Sequence, residues 1–155
     1  MFRFVSVLLA AVGMLSGWFS GGKGTPAAHV PEEGEYLYMA LDSEALRGLP
    51  ERMPVRITVH VDQMGYGRDA VFQKGDGLDE AVNAFLKIRI GPDGAPMVTD
   101  NYNWFLLEWE DGTSCMIRLN LYAMEYYVNG CVHSYCLTDA EDFWNLAYSR
   151  IPGRR

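Results

Sequence analysis

Positive charge is scarce in this chain. Thirteen lysines and arginines stand against 20 aspartates and glutamates, for a formal net charge of −7. Only Arg3 lies before position 22, where there is no acidic residue at all, so the chain beyond residue 20 carries 12 basic and 20 acidic groups, a net of −8. That balance argues against nucleic acid and against anionic membrane surfaces as partners. No apolar run reaches the ~20 residues a spanning helix needs. No internal repeat is visible. Histidine and cysteine are limited to three each, and no glycine-rich stretch has the Lys-Ser/Thr of a phosphate-binding loop. Apolar residues nevertheless make up 49% and aromatics 13% of the 155 residues, enough for one ordinary core.

The first 20 residues read as a leader. Arg3 supplies a weak positive start, and residues 5–15 form an apolar run of h-region length. The whole apolar stretch, about 16 residues to Phe19, is short for a spanning helix. Leu15-Ser16-Gly17 resembles a bacterial lipobox, but Trp18 occupies the place of the cysteine. An indole cannot form the thioether that lipidation requires. Residues 1–20 are therefore expected to be a signal peptide or N-terminal anchor, and the protein to be extracytoplasmic, secreted or tethered to the outer face of the cytoplasmic membrane. Residues 21–34, GGKGTPAAHVPEEG, read as a flexible linker, and residues 35–151 as one folded domain.

Within that domain, residues 35–41 have strand-like aromatic content, and residues 43–49 suit a helical turn before Pro50. The stretch VRITVHVD, residues 55–62, alternates as a half-buried strand, after which Gly65 and Gly67 are read as breakers. A helix is expected over 76–88, capped by Asp76, with Leu78, Val82, Phe85 and Leu86 as its apolar stripe. GPDGAP, residues 91–96, reads as a loop. A strand over 104–109 meets Glu110-Asp111-Gly112, a three-residue hairpin with Gly112 left-handed. In that register Phe105, Leu107 and Trp109 share a face with Cys115, Ile117 and Leu119. Strands over 124–128 and 131–137 flank the Asn129-Gly130 turn. Thr138-x-x-Glu141 is a capping box opening a last helix, whose stripe is Ala140, Phe143, Trp144 and Ala147, with Pro152-Gly153 ending it. The expected fold class is α+β: a single antiparallel sheet of about four to five strands with two helices packed on one face.

The block from Arg56 to Tyr148, with "LDEAVNAFLKI", the "EDG" turn and the "YYVNG" hairpin, resembles small bacterial secreted or lipoprotein domains of uncharacterised function. The resemblance agrees with a lipobox-like leader lacking its cysteine and supplies no activity.

Chemistry is thin. Cys131 and Cys136 lie five apart on one expected strand, about 16 Å at the strand rise, where a bridge needs Cα atoms within about 7 Å. With Cys115 on another strand, the three read as small fillers of a sheet core. Cys131-x-His133-x-x-Cys136 does not converge as a zinc site would. Gly65-Tyr66-Gly67 and Gly75-Asp76-Gly77 read as a turn and a cap, and Glu108, Glu110 and Asp111 as solvated charge at a hairpin end. No metal, cofactor or catalytic residue is assigned.

Aromatic residues crowd the C-terminal half, and alternation puts some on the sheet face away from the helices. Either that face recognises a ligand or residues 35–50 cover it. The first alternative suggests a non-enzymatic binding or interaction domain, monomeric, meeting a protein or envelope glycan. Its candidate contacts are Trp104, Tyr122, Tyr126 and Tyr127. Nucleic acid is not an expected partner, and the membrane is met only through an uncleaved leader. The other possibility is a small cell-envelope hydrolase using His60 or His133 as base, which needs a cleft that brings them together with a carboxylate. A chain truncated to begin at Glu35 is expected to fold alone as a monomer with native near-UV circular dichroism. Aggregation, or retained far-UV with lost near-UV signal, would contradict the assigned domain start.

Overall fold

The computed structural model describes residues 29–63, 66–94, 102–120, 122–128 and 131–151. The leader, most of the linker, the Asn129-Gly130 turn and Pro152-Gly153 lie outside the described residues. Among those described, the order is α1 (Leu37–Ala40), α2 (Glu44–Arg47), β1 (Arg56–Gln63), β2 (Tyr66–Gln73), α3 (Leu78–Phe85), β3 (Arg89–Gly94), β4 (Tyr102–Glu108), β5 (Ser114–Asn120), β6 (Ala123–Val128), β7 (Cys131–Thr138) and α4 (Glu141–Arg150). All seven strands join one antiparallel sheet in the order β2-β1-β4-β5-β6-β7-β3. The α+β class stands, but four to five strands and two helices must be corrected to seven strands and four short helices.

Two strands were hidden behind glycine and proline. Gly67 lies inside β2, because a side chain there would run into the imidazole of His60: an added Cβ would sit 2.6 Å from Nε2. Glycine inside a strand marks such a close approach. β3 carries Gly91 and Pro92 at a register shift between Ile90 and Asp93. It is the last strand of the sheet, where a bulge and a proline are tolerated.

The N-terminal segment is helical where a strand was expected. Leu37 and Ala40 are buried at helical spacing in α1, and only Tyr36 makes a bridge, to Arg89. α2 forms at the expected turn, with the Ser43 hydroxyl accepting from the Leu46 N–H.

Neither anticipated cap forms. α3 begins after Gly77 at φ 70 without a side-chain cap. The Asp76 carboxylate and carbonyl are taken instead by Arg150 from the end of α4, at 2.9 and 3.0 Å. Thr138 stays in the sheet opposite Arg89, so it cannot cap α4, and the chain turns through Asp139 at φ 54. Glu141 and Asp142 still suit the positive first turn.

The β4–β5 hairpin forms as expected. Gly112 has φ 82, Trp109 N–H donates to Thr113 O at 2.9 Å, and Phe105 pairs with Ile117, Leu107 with Cys115. By contrast, among the described residues β5 and β6 pair only at Leu119↔Met124 and Asn120↔Ala123.

All four helices lie on one side. Phe105 at mid-sheet meets Phe85 of α3 and Phe143 and Trp144 of α4, with ring centroids 6.5, 4.9 and 5.1 Å apart. The α1–α2 segment lies on this same face. Asp42 N–H donates to the Tyr126 hydroxyl at 3.4 Å, and Ser43 hydrogen-bonds Cys115. Tyr126 and Cys115 share the face of Met124, Leu107 and Phe105 by strand alternation. Residues 35–50 therefore thicken the helical layer and do not cover the second face. Cys115 is half-buried in the core, whereas Cys131 and Cys136 are exposed on opposite sides of β7, not core fillers.

Replacing Phe105 by Ala should lower unfolding free energy by about 3–5 kcal/mol. Met116→Ser on the opposite face should stay within about 0.5 kcal/mol. Urea denaturation measures both, and equal losses would refute one-sided burial.

Candidate functional site

The face away from the helices is built by alternate residues of the strands. Its centre is a cross-strand row: Asp69 on β2 pairs with His60 on β1, His60 with Trp104 on β4, and Trp104 with Arg118 on β5. A second row runs Val71, Thr58, Leu106, Met116 in the same way. Direct cross-strand neighbours have Cβ atoms about 5 Å apart, so these side chains form one continuous surface. Tyr102, Met116 and Val132 on this face are 60%, 47% and 54% exposed.

His60 is held on three sides. Its Nδ1 lies 2.6 Å from the Asp69 carboxylate. Its ring stacks on the Trp104 indole at 4.9 Å and 3°. Gly67 leaves the space the imidazole occupies. The indole is thereby fixed from one side in a defined orientation, with a polar edge of His60 and Asp69 beside it. Such a rigid aromatic body with an adjoining polar rim is suited to recognition.

Arg118 is exposed and makes no hydrogen bond, ion pair or ring contact among the described residues. Arg47, Arg52, Arg56, Lys87, Arg89 and Arg150 all face carboxylates, and Arg68 has a contact of its own.

The four expected contact residues do not share one surface. Trp104 is on the uncovered face. Tyr122 lies on the helical side, its ring 5.2 Å from Trp144 and its hydroxyl 2.7 Å from that of Tyr148. Tyr126 is under the α1–α2 connection. Tyr127 pairs with Val132 through its backbone, and its side chain lies outside the described part. The residues that do surround Trp104 carry weak signals in sequence. Arg118 is one charged position in an alternating strand, Asp69 follows a glycine read as a breaker, and Gly67 looked like a turn.

The two histidines cannot act together. His133 lies on the other face, beside Tyr126 in register, stacked on Tyr135 at 6.0 Å and bonded to Asp93 at 2.8 Å. That hydrogen bond, with help from the Ser134 N–H, holds the Asp93 carboxyl below the usual carboxylate range, against a smaller effect of desolvation. Burial, joined by the nearby Asp93 charge, pushes the Tyr135 hydroxyl up. Each imidazole has a carboxylate, but among the described residues neither receives a hydrogen bond from a serine, threonine or cysteine side chain.

The remaining candidates are structural. Burial pushes the Cys115 thiol up, which keeps it protonated and inert, the Ser43 hydrogen bond opposing in part. The Thr113 backbone N–H and hydroxyl, then Arg52, hold Asp111 below the ordinary carboxylate range in the hairpin turn. Arg52 also lies over Trp109, whose indole N–H donates to the Arg52 carbonyl at 3.0 Å. Groups of three or more histidine, cysteine, aspartate or glutamate side chains placed to hold a metal are absent among the described residues. No helix among them is long and apolar enough to cross a membrane.

No protein-family model, curated protein sequence or solved structure matches the chain.

Replacing Gly67 by Ala should drive His60 off the indole. The NMR resonance of the Trp104 indole N–H, identified by its loss in Trp104→Phe, should then move by more than any core aromatic signal. An unmoved resonance would show that Gly67 does not set the stack.

Proposed function

We propose that this chain is an extracytoplasmic, non-enzymatic binding domain that meets a protein or envelope glycan through the uncovered sheet face centred on Trp104. One observation carries the reading: every described helix lies on the Phe105 side, leaving Tyr102, Trp104, Leu106, Met116 and Val132 on a face that no described element covers. Single exposed apolar residues are ordinary, but Tyr102, Leu106 and Met116 are neighbours of the fixed Trp104 indole on β4 and β5, and such a group marks an interaction surface. The extracytoplasmic part rests on the sequence of residues 1–20, and the likeness to small bacterial secreted or lipoprotein domains agrees with it. The hydrolase alternative is not favoured, because His60 and His133 face opposite sides of the sheet.

The test is capture from an envelope extract by the full chain and by a Trp104→Ala/Tyr102→Ser variant. Aromatic anchors at the centre of an interface are worth about 2 kcal/mol or more, roughly a thirtyfold change in affinity. The variant should lose at least tenfold of the captured partner while its unfolding midpoint in urea stays unchanged. Undiminished capture by the variant, with loss on Tyr126→Ser instead, would move the site to the helical side.

A further inference from the structure

We infer that the uncovered face takes an extended peptide segment bearing a carboxylate, and that Arg118 receives that carboxylate; this rests on the binding-face reading above. Arg118 stands near the middle of the sheet, directly opposite Trp104 and two residues from Met116. Its guanidinium is exposed and without a partner among the described residues, in a chain whose net charge of −7 supplies carboxylates to the other arginines. The acidic groups that share its face are engaged elsewhere. Asp69 is bound to His60, Glu108 lies 3.6 Å from Arg56, and Asp62 and Glu125 have contacts of their own. A guanidinium presents a planar fork of donors that matches a carboxylate in two parallel hydrogen bonds. The Trp104 indole stands across the strand pair and the Met116 thioether two residues along the strand, apolar neighbours for the rest of such a segment.

The backbone beside Arg118 points to a peptide. Among the described residues β5 is paired with β6 only from Leu119 onward, so its stretch from Ser114 to Arg118 has a described ladder partner on the β4 side alone. Unpaired strand backbone is what an added strand uses, while alternate side chains read the neighbouring surface. A glycan would satisfy the aromatic residues but has no need of a free cation. A second copy of this chain is disfavoured by mutual repulsion at its net charge.

The experiment titrates the isotope-labelled full chain with acetyl-Val-Glu-Val-Phe-Val-amide, with the same peptide carrying Gln for Glu, and with sodium acetate. The amides of Cys115–Arg118 and the Trp104 indole N–H are followed by NMR. Saturable shifts are expected with the acidic peptide. Its affinity should fall at least tenfold on replacing Glu by Gln in the peptide and on Arg118→Gln in the protein. It should be unchanged by Lys74→Gln, the other exposed cation without a described partner. Equal binding of both peptides, or an unaffected Arg118→Gln, overturns the role of Arg118 while leaving the face a binding surface. An equal response to acetate overturns the peptide. Absence of saturation by either peptide overturns the inference as well, and the Trp104/Tyr102 comparison then decides the fate of the face on its own.

Discussion

Burial around Phe105 is the constraint from which the rest of the architecture follows. A seven-stranded sheet has two faces, and the helices among the described residues cover only one. Phe105 sits on β4, flanked by β1 and β5, and receives α3 and α4 as an edge-to-face aromatic cluster with Phe85, Phe143 and Trp144. Such pairs add about 0.5–1.5 kcal/mol each to the burial of the rings. The same layer gathers α1 and α2 through Leu37, Leu46 and the Tyr126 hydroxyl. Arg150 then fastens the end of α4 to Val71 O on β2 and to Asp76 before α3, with its guanidinium over Phe72. The helices are thus committed to one side by packing at the centre and by a cation at the edge.

Commitment to one side dictates the character of the other. On the uncovered face the strands show what alternation leaves there: Thr58, His60, Asp69, Trp104, Leu106, Met116 and Arg118. Stability does not need those residues in that arrangement. The His60–Asp69 pair is exposed enough that such contacts contribute little, about 0–1 kcal/mol. Yet glycine is placed at 67 where the imidazole lies, and the stack on Trp104 is close to parallel. The order of this surface therefore exceeds what folding asks of it, and fixing an indole in advance reduces the entropy lost when a ligand binds.

Much of the fold was legible wherever two signals coincided. The β4–β5 hairpin combined a turn with a left-handed glycine and an apolar alternation, and Phe105 and Leu107 share a face with Cys115, Ile117 and Leu119 as expected. The stripes of α3 and α4 were largely readable from spacing, with Leu78, Val82, Phe85, Ala140, Phe143, Trp144 and Ala147 buried and Leu86, at the C-cap of α3, only half-buried. What failed was decided by partners distant in sequence. Gly67 and Pro92 look like breakers until His60 and the position of β3 at the end of the sheet are known. Asp76 looks like a cap until Arg150 claims it, and Thr138 looks like one until Arg89 keeps it in the sheet. Of the expected contact residues with a described side chain, Trp104 alone lies on the uncovered face. Tyr122 and Tyr126 carry the same aromatic signal but belong to the helical layer, and Arg118 is conspicuous only once the other cations of the sheet are matched to their contacts.

An uncovered sheet face with exposed apolar residues invites self-association, and the chain answers that hazard at its edges. An unpaired edge strand is the usual template for unwanted pairing. β3 carries a proline and a register shift, and Tyr36 bridges its first residue. β2 presents Gly67, Arg68 and Asp69 along its outer stretch, and one of its carbonyls, at Val71, is occupied by Arg150. Net negative charge adds long-range repulsion between copies. With both edges blunted and like copies repelled, what remains accessible is the face itself and the short unpaired stretch of β5 within it. Sheet-to-sheet stacking of identical chains is thereby disfavoured.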